Sequence, residues 1–259
     1  MKKWRGLKLA TRSRIVLAIV LVAGAAAWEV ASRLELLNPL FVSRPSAIVA
    51  SIPELVASGT VRAAIVATVL AVVVAAVYGT LAGIVLGYLM GFFAALRAAF
   101  YGPALFLLGV PKSIFIPIFL VFLGLNRDAA IAYGAFSGFI YVIVNVVAGF
   151  DLIREQDLRI ARAFGAKLRH RILDVIFPAT LPGVFAGIWY GVKGGLQGIL
   201  IFEFFASVGG LGALITQYSN ELRTDRVFAL TLGIALFAIL LGALWSALER
   251  RLARWRQTN

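Results

Sequence analysis

From Ala63 to Leu96 the chain runs for 34 residues without one charged side chain. Roughly 20 apolar residues of helix cross the hydrocarbon of a bilayer, so this block is long enough to span. It is also too uniformly apolar to be one face of a helix that meets water on the other. Lipid is therefore the solvent of this segment. The rest of the sequence follows suit: 61% of its residues are hydrophobic and 14% charged, and the mean hydropathy is +0.94. Apolar segments recur from residue 15 to residue 248 with no long polar stretch between them, so the 259 residues read as one all-α membrane domain.

Charges mark where the other spans stop. The first is Ile15 to Ser32, between Arg14 and Arg33, with Glu29 near its far end. A basic start before an apolar run is shared with signal peptides, but the further spans and the lack of a polar mature domain predict a retained anchor. The second lies inside Ala63 to Leu96, as a tilted helix with an interfacial turn. The third runs from about Phe100 to Leu123 and is interrupted by Lys112, Pro103, Pro111 and Pro117. Proline removes a backbone donor, so this span is predicted to be kinked, its freed carbonyls facing protein or water. The fourth is Ala129 to Phe150, the fifth follows Pro182 to about Phe204, and the sixth is Val227 to Leu248.

The lysines and arginines between these spans test the assignment, because short cytoplasmic loops are enriched in both. One side receives seventeen: Lys2, Lys3, Arg5, Lys8, Arg12, Arg14, Arg97, Arg154, Arg159, Arg162, Lys167, Arg169, Arg171, Arg250, Arg251, Arg254 and Arg256. The other receives six: Arg33, Arg44, Arg62, Arg127, Arg223 and Arg226. Six spans with both termini in the cytoplasm fit this split, with residues 1–14 as a basic cytoplasmic N-terminus and about 63–250 as the core. The net charge of +13 is then an orientation signal beside anionic lipid. A nucleic-acid-binding domain would not place its bases between hydrophobic blocks.

Reaction chemistry has little to draw on. Cysteine is absent, and the single histidine, His170, sits in a basic run with Lys167, Arg169 and Arg171. That excludes thiolate sites, histidine metal centres and nucleophilic triads. The sequence predicts neither an enzyme nor a metal site.

Two spans carry the same ladder of glycines, Gly79, Gly83, Gly87 and Gly91 in the second and Gly183, Gly187, Gly191 and Gly195 in the fifth. A step of four drifts about 40° around a helix, so each ladder is a narrow, slowly winding groove without side chains. In lipid, where van der Waals contact replaces the hydrophobic effect, such grooves let helix backbones approach. The segments from Asn38 to Arg62 and from Phe205 to Arg226 are the longer external loops, with room for short interfacial helices or for docking a partner.

Between the fourth and fifth spans lies a cytoplasmic stretch, residues 151–178. Leu158, Ala161, Phe164 (or Gly165) and Leu168 recur at steps of three or four, with Arg159, Arg162, Lys167, Arg169 and Arg171 largely elsewhere. This pattern predicts an amphipathic helix. Such a helix either lies in the headgroup layer or puts its apolar face into a groove on a cytoplasmic protein.

Residues 159–178 resemble the permeases of ATP-binding cassette importers, whose cytoplasmic loop carries EAA, three residues, Gly, nine residues, then I-x-L-P. Gly165 holds the glycine position, and Val175, Ile176, Phe177 and Pro178 stand at the I-x-L-P positions. Ala161 matches the second alanine, whereas Arg159 replaces the glutamate and Ile160 the first alanine. The resemblance covers about residues 40–256 and is closest to the branch for nitrate, alkanesulfonates, taurine and some heterocyclic precursors. Further phrases that carry it are Ser43-Arg44-Pro45-Ser46, Pro111-Lys112 with Pro117, and Phe177-Pro178-Ala179-Thr180-Leu181-Pro182-Gly183. Glu203, Gly209-Gly210-Leu211-Gly212 and Arg223-Thr224-Asp225 follow in the same order.

That resemblance implies a coupling helix in a cleft of an ATPase subunit, formed by Leu158, Ala161, Arg162, Phe164, Gly165, Ala166 and Leu168. It implies two copies of the ATPase, a second copy of this permease, and an external solute-binding protein at a bacterial inner membrane. No Gly-rich phosphate loop precedes Lys112-Ser113, so ATP and magnesium are expected on the partner and no cofactor on this chain.

Charges inside spans cost roughly 2.5–3.5 kcal/mol on insertion scales and usually face a cavity or a partner. Lys112, Lys193, Gln197 and Glu203 are the pathway candidates. The lysines suit a small anion, or else snorkel towards the interface or serve in structural pairing with Glu203. A self-sufficient secondary transporter or channel is the alternative, but it would more often show inverted repeats and midplane acids for ion coupling.

Overall fold

The computed structural model describes residues 2–252, with side chains from Ile15 to Arg251. The basic side chains from Lys2 to Arg14, and Arg254 and Arg256, lie outside the described residues. The elements are α1 (Lys2–Arg33), α2 (Pro45–Ala57), α3 (Gly59–Phe92), α4 (Ala94–Gly109), a 3₁₀ turn (Lys112–Phe115), α5 (Ile116–Leu123), α6 (Arg127–Asp151), α7 (Glu155–Ala163), α8 (Leu168–His170), a π segment (Arg171–Ile176), α9 (Phe177–Ala206), α10 (Gly210–Asn220) and α11 (Thr224–Leu252). There is no strand among the described residues.

Five stretches are long and apolar enough to cross a bilayer: Ile15–Arg33, Gly59–Phe92, Arg127–Asp151, Leu168–Ala206 and Thr224–Arg251. The expected third span differs from the sequence reading. It begins at Ala94, not near Phe100, and is broken into α4 and α5, bent by 107°. Of its three prolines only Pro111 breaks the helix. Val110 before it is extended (φ −82°, ψ 137°), as steric pressure from the proline ring requires. Pro103 lies inside α4. Pro117 sits in the first turn of α5, where its missing N–H has no partner to lose.

Packing decides that the bent pair is a crossing. The α3 ladder climbs α6 in step: Gly79 against Ala135, Gly83 against Val142, Gly87 against Val146 and Gly91 against Phe150. The two helices are therefore parallel, and the chain must return across the bilayer between them. Arg97, at the start of α4, bonds Asp151 at the end of α6 at 2.7 Å, which puts the start of α4 on the side where α3 and α6 end. Counted with the five long stretches, the bent pair makes six candidate crossings among the described residues, and the loop after α6 lies on the side where α3 and α6 end. The arginine-rich loop after α6 marks that side as the cytoplasm.

The fifth span also differs. It does not start after Pro182: one helix continues from Leu168 to Ala206, and Pro182 lies within α9. The N–H groups missing at Pro178 and Pro182 cannot reach back one turn. The wider π turn immediately before them is a way a helix absorbs such a gap.

By contacts the chain forms two compact units, residues 1–62 with 215–238, and 63–214 with 239–259. In the first, Glu29 of α1 accepts from the Ser46 N–H (3.0 Å) and hydroxyl (2.8 Å) while pairing with Arg33. Arg44, the residue before α2, offers no side-chain cap; Glu29 supplies the anion that the N-terminus of α2 attracts. Arg226 pairs with Glu54 at 2.7 Å and lies over the Tyr218 ring.

The second unit is built around α6. Asn126 caps it by accepting from the Ala129 N–H at 2.8 Å. One face takes the α3 ladder and another takes α9, antiparallel, in a contact of backbone against backbone. A Cβ at Gly183 would meet the Asn145 carbonyl and come within 2.7 Å of the Gly149 Cα; one at Gly138 would be 2.5 Å from the Gly191 carbonyl oxygen. Gly191 lies against Val142, Gly187 against Val142 and Asn145, and Gly195 against the Gly134 carbonyl oxygen at 3.5 Å. The helix that answers the two ladders thus brings glycines of its own, Gly134, Gly138 and Gly149.

Candidate functional site

Three places carry the residues singled out from the sequence. The first is the cytoplasmic loop. Its expected single amphipathic helix is two pieces, because the chain turns at Gly165. Gly165 has φ +74°. Its N–H bonds the Arg162 carbonyl at 3.0 Å, and the Ala166 N–H bonds the Ala161 carbonyl at 2.9 Å. These two bonds are a Schellman ending, which needs a left-handed residue and so favours glycine. Leu168 therefore starts the next helix and does not share a helical face with Ala161. The three-residue spacing imitated a continuous helix across a turn.

The turn leaves apolar groups outward. Phe164 is 87% exposed and Leu168 63%. Leu158, Ala161 and Ala166 are half-buried, and Arg162 is exposed, with its Nε donating to the Leu158 carbonyl. Arg159, where the resembled motif has glutamate, pairs with Glu155 one turn earlier at 2.8 Å, with both side chains exposed. Such a pair contributes little to stability. At the foot of this loop Phe150 of α6 and Phe177 of α9 contact the Tyr88 ring of α3, and the Tyr88 hydroxyl bonds Thr180 at 2.7 Å.

The second place is the break between α4 and α5. Lys112 Nζ donates to the Tyr141 hydroxyl at 3.4 Å and lies 4.5 Å from its ring centroid. The Tyr141 ring rests on Gly194, where a Cβ would be 2.7 Å from Cδ2 and Cε2. Lys193, next along, is exposed, with its ammonium 5.6 Å and 5.7 Å from the Trp189 and Tyr190 rings. Trp189 in turn stacks on Trp245. Gln197 is exposed one turn further on. Among the described residues neither ammonium is in an ion pair.

The third place corrects the grouping of Glu203 with these lysines. Glu203 is 4% exposed, and its carboxylate accepts from the Thr68 hydroxyl at 2.9 Å and from the Gly212 N–H at 3.0 Å. Thr68 Oγ1 itself accepts from the Leu211 N–H at 2.8 Å. Gly209 and Gly210 have φ +93° and +80°, and any Cβ at Gly210 would fall on the Glu203 carboxylate. The Gly209-Gly210-Leu211-Gly212 phrase is thus a loop folded over a buried carboxylate, which ties α3, α9 and α10 together. Glu203 partners neither Lys193 nor Lys112.

Sequence reasoning missed Tyr141, Thr68 and the α6 glycines. The step of four between Gly134 and Gly138, matching both ladders, was the available signal for the last. Nothing in the sequence singles out Thr68, one polar residue in a charge-free run. No group of three or more metal-ligating side chains occurs among the described residues.

Comparison with known proteins sets these features in context. The chain is 29% identical over 146 residues to the taurine transport system permease protein TauC of Escherichia coli, covering 56% of this chain and 53% of that protein. It is 29% identical over 152 residues to the putative aliphatic sulfonates transport permease protein SsuC of Bacillus subtilis, covering 58% and 54%. It is 27% identical over 146 residues to the riboflavin transport system permease protein RibX of Chloroflexus aurantiacus, covering 56% and 54%. The matched region is thus about half the length of each relative. Residues 79–255, which include the α3 ladder, the bent span, the loop and Glu203 with its Gly209–Gly212 loop but not Thr68, match the binding-protein-dependent transport system inner membrane components. The chain belongs to that family, as a multi-pass inner-membrane protein.

Proposed function

We propose that the chain is the membrane-spanning permease subunit of an ATP-binding cassette importer, forming the pathway for a small anionic solute delivered by an external binding protein. ATP and magnesium bind a separate ATPase, present in two copies, and a second copy of this permease completes the pathway. The observation that carries this reading is the cytoplasmic loop: a Schellman turn at Gly165 holds Phe164 almost fully exposed beyond the spans. An apolar ring held out at a rigid turn is the anchor that a groove on a partner takes. Taurine and aliphatic sulfonates, named for two of the relatives, carry a sulfonate, the charge that Lys112 and Lys193 complement.

The test is co-purification with the cognate cassette ATPase, alongside ATP-dependent uptake in proteoliposomes. Phe164→Asp should leave the permease folded, since the ring touches little, yet lose both the ATPase and uptake. Gly165→Glu, strained by roughly 1–2 kcal/mol at a left-handed position, should insert and accumulate but lose both as well, whereas Arg171→Ala should keep them. Retention of the ATPase by Phe164→Asp and Gly165→Glu would return the loop to the headgroup layer.

A further inference from the structure

We infer that Tyr141 is a specificity-determining residue of the pathway: its phenol hydroxyl and the Lys112 ammonium form a two-donor subsite for one oxyanion group, a sulfonate or a carboxylate, at the break between α4 and α5. This rests on the importer reading above and adds to it a recognition element absent from the charge pattern of the sequence.

The geometry supplies the donors. Lys112 Nζ lies 3.4 Å from the Tyr141 hydroxyl and 4.5 Å from the ring centroid, over the ring face. An ammonium has three N–H donors, and among the described residues this one makes a single, long bond to protein. The phenol oxygen accepts that bond, which turns its own hydrogen elsewhere. Two donors that no carboxylate pairs with among the described residues suit an acceptor-only group, and a carboxylate or sulfonate bonds them with charge assistance.

Gly194 fixes where the phenol stands. The Tyr141 ring lies against the α9 backbone in a notch that any side chain at 194 would fill. The backbone of Tyr141 is also held, its carbonyl accepting from Asn145 Nδ2 at 2.8 Å. The neighbours extend the field: Lys193 stands exposed over Trp189 and Tyr190, and Gln197 is exposed beyond it. Neither lysine is in an ion pair among the described residues, so their attraction for an anion is not spent on a protein carboxylate.

The chain has no cysteine, which allows a direct test on the full-length permease in proteoliposomes. Gln197→Cys supplies one thiol, and its modification by sulfonatoethyl methanethiosulfonate is compared with that by the trimethylammonioethyl reagent. The anionic reagent should react faster, and Lys112→Gln should lower that preference on the order of tenfold. Ethanesulfonate should protect the thiol, and Tyr141→Phe should raise the protecting concentration roughly tenfold. That substitution keeps the ring on Gly194 and over the ammonium, so folding is not at stake; gel filtration confirms it. Gly194→Ala, which displaces the ring, should act in the same direction.

Unchanged protection in Tyr141→Phe, with the preference lost in Lys112→Gln, would leave Lys112 acting alone and overturn the role of Tyr141. Equal rates for both reagents in the parent thiol would show that this face is no anion pathway and overturn the subsite. Either failure is distinct from failure of the importer reading, which the ATPase co-purification of Phe164→Asp decides separately.

Discussion

The α9 ladder gives a graded prediction, because its four glycines look alike in sequence and differ in what an added methyl would meet. At Gly183 the methyl runs into backbone, the Asn145 carbonyl and, at 2.7 Å, the Gly149 Cα. At Gly191 it meets the Val142 Cγ2 at 2.6 Å, the end of a side chain that has some freedom to turn. At Gly187 the nearest atom is the Val142 carbonyl oxygen at 3.2 Å, and at Gly195 the Gly134 carbonyl oxygen at 3.5 Å, an ordinary contact. Restoring normal contact with the Asn145 carbonyl at Gly183 requires α6 and α9 to part by roughly 1 Å, and overpacking of this kind costs about 1–3 kcal/mol. Against it stands a gain of about 0.8–1.0 kcal/mol in helix propensity for each glycine replaced by alanine.

The expected order of stability is therefore Gly195→Ala at or slightly above the parent, then Gly187→Ala, Gly191→Ala and Gly183→Ala. At roughly 2–4 °C per kcal/mol for a chain of this size, Gly183→Ala should melt several degrees below Gly195→Ala. Thermal unfolding of the detergent-purified permease, followed by intrinsic tryptophan fluorescence, measures the difference. Gly102→Ala, where nothing lies within 4 Å of the new methyl, is the control. Equal melting temperatures for Gly183→Ala and Gly195→Ala would refute the idea that backbone contact between α6 and α9 organises the fold.

Two other outcomes follow from particular contacts. Single cysteines at Leu125 and Leu152, both well exposed, should react with a membrane-impermeant reagent from opposite faces, external and cytoplasmic, and a C-terminal reporter should be cytoplasmic. Labelling of Leu125 from the cytoplasmic face and Leu152 from the external face would make the bent pair a re-entrant loop and leave five crossings. Glu203→Gln, which keeps acceptors for Thr68 and Gly212, should cost little. Thr68→Val and Glu203→Leu, which strand the Leu211 N–H or the Thr68 hydroxyl and the Gly212 N–H, should cost about 1–3 kcal/mol for each buried group left unmet. A fully stable Glu203→Leu that nevertheless loses uptake would return Glu203 to the pathway.

What the sequence made legible follows from how far apart the causes lie. The spans were readable because a charge at each boundary is a local fact. Where the bent span breaks was half legible: three prolines are visible, but which one breaks the helix depends on whether its missing N–H had a partner. The loop misled because Leu168 stands at helical spacing from Ala161 and Phe164, and a period of three or four cannot register one left-handed residue between them. Glu203 misled for a different reason. Its partner Thr68 is 135 residues away, and the loop that buries it is recognisable only once folded. The Tyr141 and Lys112 contact likewise depends on Gly194, a third helix.

The packing also limits which parts are free to move if the chain carries solute as proposed. The helices α3, α6 and α9 meet through glycine notches, with Val142 lying against Gly83, Gly187 and Gly191 together. Sliding any one of them by a residue would drive side chains into backbone, and close-packed interiors resist such strain. The three therefore travel as one body. Their cytoplasmic ends are also tied to one another, through Tyr88, Thr180, Phe150 and Phe177, next to both ends of the loop that carries Phe164. A displacement of that loop is thus delivered to all three helices at once. The give must lie where the regular ladder of hydrogen bonds is already interrupted, at the Val110 and Pro111 break and along the π segment before Pro178. The first of these is where Lys112 meets Tyr141. Movement of the three-helix body against the broken span changes the distance between that ammonium and a phenol fixed to α6 and α9, so on the proposed reading the step that reorients the permease also closes or opens the proposed anion subsite.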